Sequence, residues 1–139
     1  QGSIPPEWKN LKKLIGLELG GNSLSGFFPA EYGELHTLQD LILSGNSFEG
    51  SIPEEWRTLT SLLRFQISEN QVEGQLPDGM CNWSLVRMIT IDDNKLSGTL
   101  PPCLFRDLRN LVVFDASENR LEGSIPSAKT LPLLASIGL

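Results

Sequence analysis

Three residue types recur along the chain with one period, and that period limits the fold more than anything else in the sequence. Asparagines stand at 22, 46, 70, 94 and 119, and prolines at 5, 29, 53, 77, 101 and 126. Glycines precede the prolines at 2, 26, 50, 74, 98 and 123. The step is 24 residues, with one step of 25 that a single insertion near Asp107 explains. A unit this short cannot bury an apolar face by itself, so copies must stack on one another to build a continuous core.

The apolar columns describe what each unit does. One of them reads Leu38-x-x-Leu41-x-Leu43-x-x-Asn46-x-Phe48-x-Gly50-x-Ile52-Pro53-x-x-Trp56-x-x-Leu59. Leu41 and Leu43 alternate as a strand does, facing inward with Ile42 outward. After Pro53 the spacing becomes three, the period of a short 3₁₀ or helical turn, and proline suits the first position of such a turn because its missing N–H costs nothing there. Parallel strands are predicted to centre on Leu17-Glu18-Leu19, Leu41-Ile42-Leu43, Phe65-Gln66-Ile67, Ile89-Thr90-Ile91 and Phe114-Asp115-Ala116, stacked in chain order.

Each asparagine follows the strand, where a corner leaves backbone groups unpaired inside the stack. An inward-facing amide has donors and an acceptor for such groups on neighbouring coils. Trp8, Tyr32, Trp56, Met80 and Leu104 share the column three residues after proline and read as core packing between coils. Trp83 joins Leu11, Leu35, Leu59 and Leu108 in the next core column.

The unit L-x-x-L-x-L-x-x-N-x-L-x-G-x-I-P resembles the plant-specific class of leucine-rich repeats. Its mark is Gly50-Ser51-Ile52-Pro53 and Gly123-Ser124-Ile125-Pro126, with variants at Gly74-Gln75-Leu76-Pro77 and Gly98-Thr99-Leu100-Pro101, and Gly26-Phe27-Phe28-Pro29 departing most. The class looks like the ectodomains of plant receptor-like kinases and receptor-like proteins, and like secreted inhibitors of cell-wall-degrading enzymes such as polygalacturonases. The resemblance implies an α/β solenoid: a right-handed superhelix with a concave parallel β-sheet, short helical (3₁₀/α) returns and a second, shorter set of strands at G-x-I-P. It places residues 1–139 in a single solenoid of about five 24-residue repeats plus a partial one. Neither of the cysteine-paired caps usual in the family is seen, so the chain reads as a fragment of a longer ectodomain. The expected location is the extracellular side of the plasma membrane or the apoplast.

Catalytic chemistry finds no constellation to rest on. His36 stands beside Thr37 with no cysteine or serine placed as a nucleophile partner. Gly20-Gly21 fills variable positions before Asn22 and is not a phosphate loop. Cys81 and Cys103 lack the further ligands a zinc site needs. The chain reads as neither an enzyme nor a cofactor carrier, and no metal is assigned to it. A calcium site at Asp92, Asp93 and Asp115 is disfavoured because adjacent strand residues point to opposite sides.

Cys81 and Cys103 lie on the returns of adjacent coils. Paired strands stand about 4.8 Å apart, a separation that suits a disulfide. Two free thiols in a reducing compartment are the alternative. Their 22-residue spacing resembles that of a pair seen in plant receptor-like proteins. Asn82-Trp83-Ser84 is an N-glycosylation tripeptide, with Asn82 expected on the convex side.

Each coil offers four outward positions beside its inward strand residues. Glu18, Asp40, Ile42, Arg64, Gln66, Glu69, Met88, Thr90, Asp92, Asp93, Val113, Asp115 and Glu118 are the candidate ligand-binding residues among them. These columns hold seven acids and one base, Arg64, while the remaining ten acids and ten bases cancel, so the whole net charge of −6 belongs to this face. That charge argues against nucleic acid and against an anionic membrane as partners. Solvated carboxylates on exposed strand positions account for it blandly, whereas attraction of a basic ligand accounts for it functionally. The expected partner is a peptide, small molecule or protein, basic in character, with a co-receptor as a further candidate. The expected role is ligand sensing by a receptor ectodomain, the other reading being a secreted inhibitor of a cell-wall hydrolase.

Overall fold

The structure is a computed structural model that describes residues 2–125, 127 and 131–139. Pro126, the last of the proline column, lies outside the described residues. Six short strands, Gly16–Glu18, Asp40–Ile42, Arg64–Gln66, Met88–Thr90, Val113–Asp115 and Ser136–Gly138, form one parallel sheet in chain order. The first five begin and end one residue earlier than the sequence pattern suggests, and the sixth, Ser136–Gly138, is not among the expected strands. The ladder itself continues past the strand, since Leu19 N donates to Ile42 O at 2.8 Å and Leu43 N donates to Gln66 O at 2.8 Å. The second inward residue of the pair therefore keeps its cross-coil hydrogen bond, and only the regular backbone stops before it.

A second parallel sheet of five strands, Ser25–Phe27, Ser47–Gly50, Gln71–Gln75, Lys95–Thr99 and Arg120–Glu122, runs along the G-x-I-P edge. The two sheets differ in register. Asp40 pairs with Arg64 in the first, whereas Glu49 pairs with Gln71 in the second, a step two residues shorter. Successive coils are therefore not pure translations of one another.

Gly50, at φ 76°, shows why the edge sheet needs glycine: a Cβ there would collide with the Phe27 ring of the preceding coil. Its left-handed backbone would also strain any other residue.

Four returns are 3₁₀ turns: Pro6–Asn10, Ala30–Glu34, Glu54–Thr58 and Asp78–Asn82. The fifth, Leu104–Asp107, is an α-turn in which Asp107 N donates to Cys103 O at 2.8 Å. This is the coil with the inserted residue. Elsewhere the two core residues of the return are three apart, as Trp56 and Leu59 are, and fit a 3₁₀ turn. Leu104 and Leu108 are four apart, which is the α spacing. The additional apolar residue, Phe105, is buried and meets Phe114 edge-on at 5.1 Å.

The core is one continuous column of leucine, isoleucine, valine and aromatic side chains between the sheets and the returns. Its aromatic members also serve the backbone. Tyr32 Oη donates to Pro5 O at 3.0 Å, Trp56 Nε1 to Pro29 O at 2.9 Å and Trp83 Nε1 to Trp56 O at 2.9 Å. Each bond reaches back one coil to a carbonyl that already accepts a backbone N–H within its own return, and so fills that oxygen's second lone pair. Burial pushes the Tyr32 phenol up, and Glu7 and Glu31 push it in the same direction.

The asparagines carry the corners. Asn70 Nδ2 donates to Leu43 O of the preceding coil and to Ile67 O and Ser68 O of its own, and its Oδ1 accepts from Phe48 N at 3.0 Å. Asn46, Asn94 and Asn119 repeat the pattern.

Candidate functional site

The concave sheet presents two outward positions per strand, and the following bend presents two more. Because the register is constant across the sheet, these positions align into columns. The first column runs Gly16, Asp40, Arg64, Met88, Val113 and Ser136. The second runs Glu18, Ile42, Gln66, Thr90, Asp115 and Gly138.

Arg64 organises the end nearer the N-terminus. Its Nε donates to Asp40 Oδ1 at 2.6 Å, and an Nη donates to Glu18 Oε1 at 3.4 Å. The Asp40 bond and charge, with Glu18 adding to them, push the Arg64 guanidinium further up from a pKa already far above neutrality. The only base of the face is thus committed to two of its seven acids. Sequence reasoning named all three residues without joining them. Their spacing of about one coil per step, in adjacent columns, is the signal that would have joined them.

The other end is different. Asp92 Oδ1 accepts from Ser68 Oγ, and Asp115 Oδ1 accepts from Ser117 N at 3.0 Å and from Ser117 Oγ at 2.6 Å. These two carboxylates are half-buried and held by hydroxyl and amide donors, with no counter-charge among the described residues. Ser68, counted among the outward positions of the sequence pattern, is buried beneath this contact.

Glu69, Asp93 and Glu118 are exposed, and they lie outside the strands of the sheet. They sit in the bend with φ 55°, 55° and 51°, the left-handed region that side chains other than glycine seldom enter. The equivalent residues in the first two coils are Gly21 and Gly45, which take the same conformation freely. That column of glycines was the missed sequence signal for a turn. The left-handed backbone separates Asp92 from Asp93, directing one toward Ser68 and the other to solvent.

Apolar and neutral groups occupy the middle of the face. Ile42, Met88, Val113, Gln66 and Thr90 are half-buried, and Gln66 Nε2 lies 3.1 Å from Met88 Sδ. Gly16, Gly20, Gly21 and Gly45 leave the opposite end with little side-chain cover. Among the described residues, no group of three or more histidine, cysteine, aspartate or glutamate side chains is arranged to hold a metal ion.

Outside the concave face, Cys81 and Cys103 are joined by a disulfide with Cα atoms 5.8 Å apart. Asn82 beside it is exposed on the return Asp78–Asn82. His36 is exposed, its Nδ1 3.4 Å from Thr58 O, at the edge of a convex depression of about 440 Å³ that also touches Glu34 and Arg57. A second depression of about 330 Å³ lies at the end of the stack, between Leu100, Leu121, Ile125 and Leu139. No helix among the described residues is long and apolar enough to cross a membrane.

Known proteins place this architecture. The Leucine Rich Repeat family model matches residues 37–59. No curated protein matches the sequence. Among solved structures, the leucine-rich repeat ectodomain of the Arabidopsis thaliana membrane receptor kinase GASSHO1/SCHENGEN3, in complex with CASPARIAN STRIP INTEGRITY FACTOR 2, superposes with a TM-score of 0.94 at 34% identity. The match covers 98% of this chain and 16% of that one. The ectodomain of the Arabidopsis receptor kinase HAESA, in complex with an N-terminally extended IDA peptide hormone, superposes with a TM-score of 0.91 at 32% identity, over 98% of this chain and 24% of that one. A plant ice-binding protein is similar as well, with a TM-score of 0.83 at 32% identity, over 98% of this chain and 46% of that one. The chain thus spans well under two thirds of each. A 24-residue coil lengthened once to 25, a G-x-I-P edge sheet and these likenesses agree: the chain is a leucine-rich repeat solenoid, built like the ectodomains of plant receptor kinases.

Proposed function

We propose that the chain is a ligand-binding segment of a cell-surface receptor ectodomain, and that its concave face takes a basic peptide or a basic segment of a protein. The observation that carries this reading is the uneven pairing of charge on that face. Glu18 and Asp40 share Arg64, whereas Glu69, Asp92, Asp93, Asp115 and Glu118 have no cationic partner among the described residues. Three of the five project from bends one coil apart, along one flank of a sheet whose first column carries Met88 and Val113. An extended ligand lying across the strands would meet apolar surface along its middle and carboxylates along one flank, the mixture found in peptide-recognising interfaces. The receptor ectodomains above are similar in fold, and that of HAESA holds a peptide hormone in its own complex, which supports an extracellular setting and a peptide or receptor partner.

The test uses a panel of short basic peptides and their acetylated, charge-neutral counterparts, with binding followed by calorimetry. Binding of the basic set should weaken as salt rises, because exposed charges are screened beyond about 8 Å at physiological ionic strength. Asp93→Lys with Glu118→Lys should weaken it about tenfold or more, an effect of about 1.4 kcal/mol. Reversal of the convex Glu54 and Glu55 should change it little. Equal losses from the concave and convex reversals, or equal binding of the acetylated peptides, would sink the proposal.

A further inference from the structure

The return Asp78–Asn82 contains a feature that ligand binding on the concave face does not use. Asn82, Trp83 and Ser84 form an acceptor tripeptide for N-linked glycan. Both of its functional side chains, Asn82 and Ser84, are exposed, while Trp83 between them is fully buried. No hydrogen bond engages the Asn82 amide among the described residues. One coil earlier, at the equivalent position, the Thr58 hydroxyl is bound to Gly33 O and Glu55 O. The neighbouring residue, Cys81, is bonded to Cys103, a link that persists in an oxidising compartment, where glycan transfer also takes place.

We propose that Asn82 is an N-glycan attachment site, and that it is open to the transferase only until this return closes. In the transfer, Asn82 Nδ2 forms a bond to the anomeric carbon of a lipid-pyrophosphate-linked oligosaccharide. The bond from that carbon to the pyrophosphate oxygen breaks, the lipid pyrophosphate leaves, and the amide gives up one proton. The enzyme must draw the tripeptide out in an extended form. The folded return forbids this in three ways. Trp83 Nε1 is held by Trp56 O at 2.9 Å, Ser84 N donates to Asn82 O at 2.8 Å, and Cys81 is tied to the next coil. Once attached, the sugar meets no obstacle, because Asn82 projects from the convex side. It would cover the disulfide and the adjoining returns while leaving the concave columns open. The inference stands independently of what the concave face binds.

The experiment expresses the chain with a secretion signal in plant or insect cells and maps Asn82 by mass spectrometry before and after enzymatic deglycosylation. A parallel reaction offers purified bacterial chain to oligosaccharyltransferase with its lipid-linked donor, once folded and oxidised and once reduced and unfolded. The expected result is a glycan on Asn82 of the secreted chain, lost in Ser84→Ala and in Asn82→Gln. In the parallel reaction, transfer should reach the unfolded chain at least tenfold better than the folded one. Ser84→Ala leaves the exposed backbone in place, so the result does not depend on whether Asn82→Gln folds. A bare Asn82 in the secreted chain overturns the site, and equal transfer to folded and unfolded chain overturns the timing.

Discussion

Asn22 and Asn70 hold the same place in the repeat and do different work. Asn70 ties its own corner to the coil before it, through a carbonyl on each side and an amide from Phe48. Among the described residues, Asn22 bonds to Leu19 O and Gly20 O of its own bend, and it is exposed. The aromatic column divides the same way: Tyr32 and Trp56 are fully buried, whereas Trp8, in the first return, is only partly so. In a stack, the contribution of a side chain depends on whether coils lie on both sides of it. A repeat position therefore has no fixed energetic value.

Substitutions can press on this contrast. The largest effect belongs to Trp83→Ala, which empties a buried site and removes a cross-coil bond to Trp56 O, at about 3–5 kcal/mol by denaturant unfolding. Trp8→Ala should cost far less, and a comparable loss would refute the contrast. Reducing the Cys81–Cys103 bond releases a 22-residue loop in the unfolded chain and should cost about 3 kcal/mol, checked by unfolding with and without reductant. Asn70→Ala leaves buried backbone groups unpaired and should cost about 1–3 kcal/mol. Asn22→Ala should change little, because water replaces its bonds.

The smallest effect concerns Glu34. Hydrogen bonds from Lys12 and then Lys9 pull its carboxyl below the ordinary glutamate range. A depressed folded pKa stabilises above the unfolded value, and the contribution disappears as pH falls through the folded one. The group is exposed, so the effect on unfolding should be close to the limit of detection. An NMR titration should find the Glu34 midpoint low, and Lys12→Ala should move it back up.

Most of the architecture was legible because the core imposes its period directly on the sequence. Leu41, Leu43, Phe48, Ile52, Trp56 and Leu59 must each occupy the same column in every coil, so a single unit discloses the stack. Strand limits were shifted by one residue, because Leu43 keeps its ladder bond after the regular backbone ends, and apolar alternation cannot separate the two. The concave face was harder to read. Its residues are free of the packing constraint, and their relations run between coils: Arg64 with Asp40 and Glu18, Ser68 with Asp92. The left-handed bends at Glu69, Asp93 and Glu118 were masked because acids in a solvent-facing column look like ordinary surface, and only Gly21 and Gly45 in that column point to a turn.

The inserted residue in the α-turn Leu104–Asp107 bears on how such a surface can diversify. Met88 pairs with Val113 and Ile89 with Phe114, so the ladder advances by 25 residues at that coil and no column is displaced. A length change on the outer wall is absorbed where it occurs, by a wider helical turn and one more ring in the core. The inner wall can consequently be rewritten one residue at a time without renumbering its neighbours. Mutation can act on two nearly independent texts in the same gene, one of substitutions facing the ligand and one of insertions facing away.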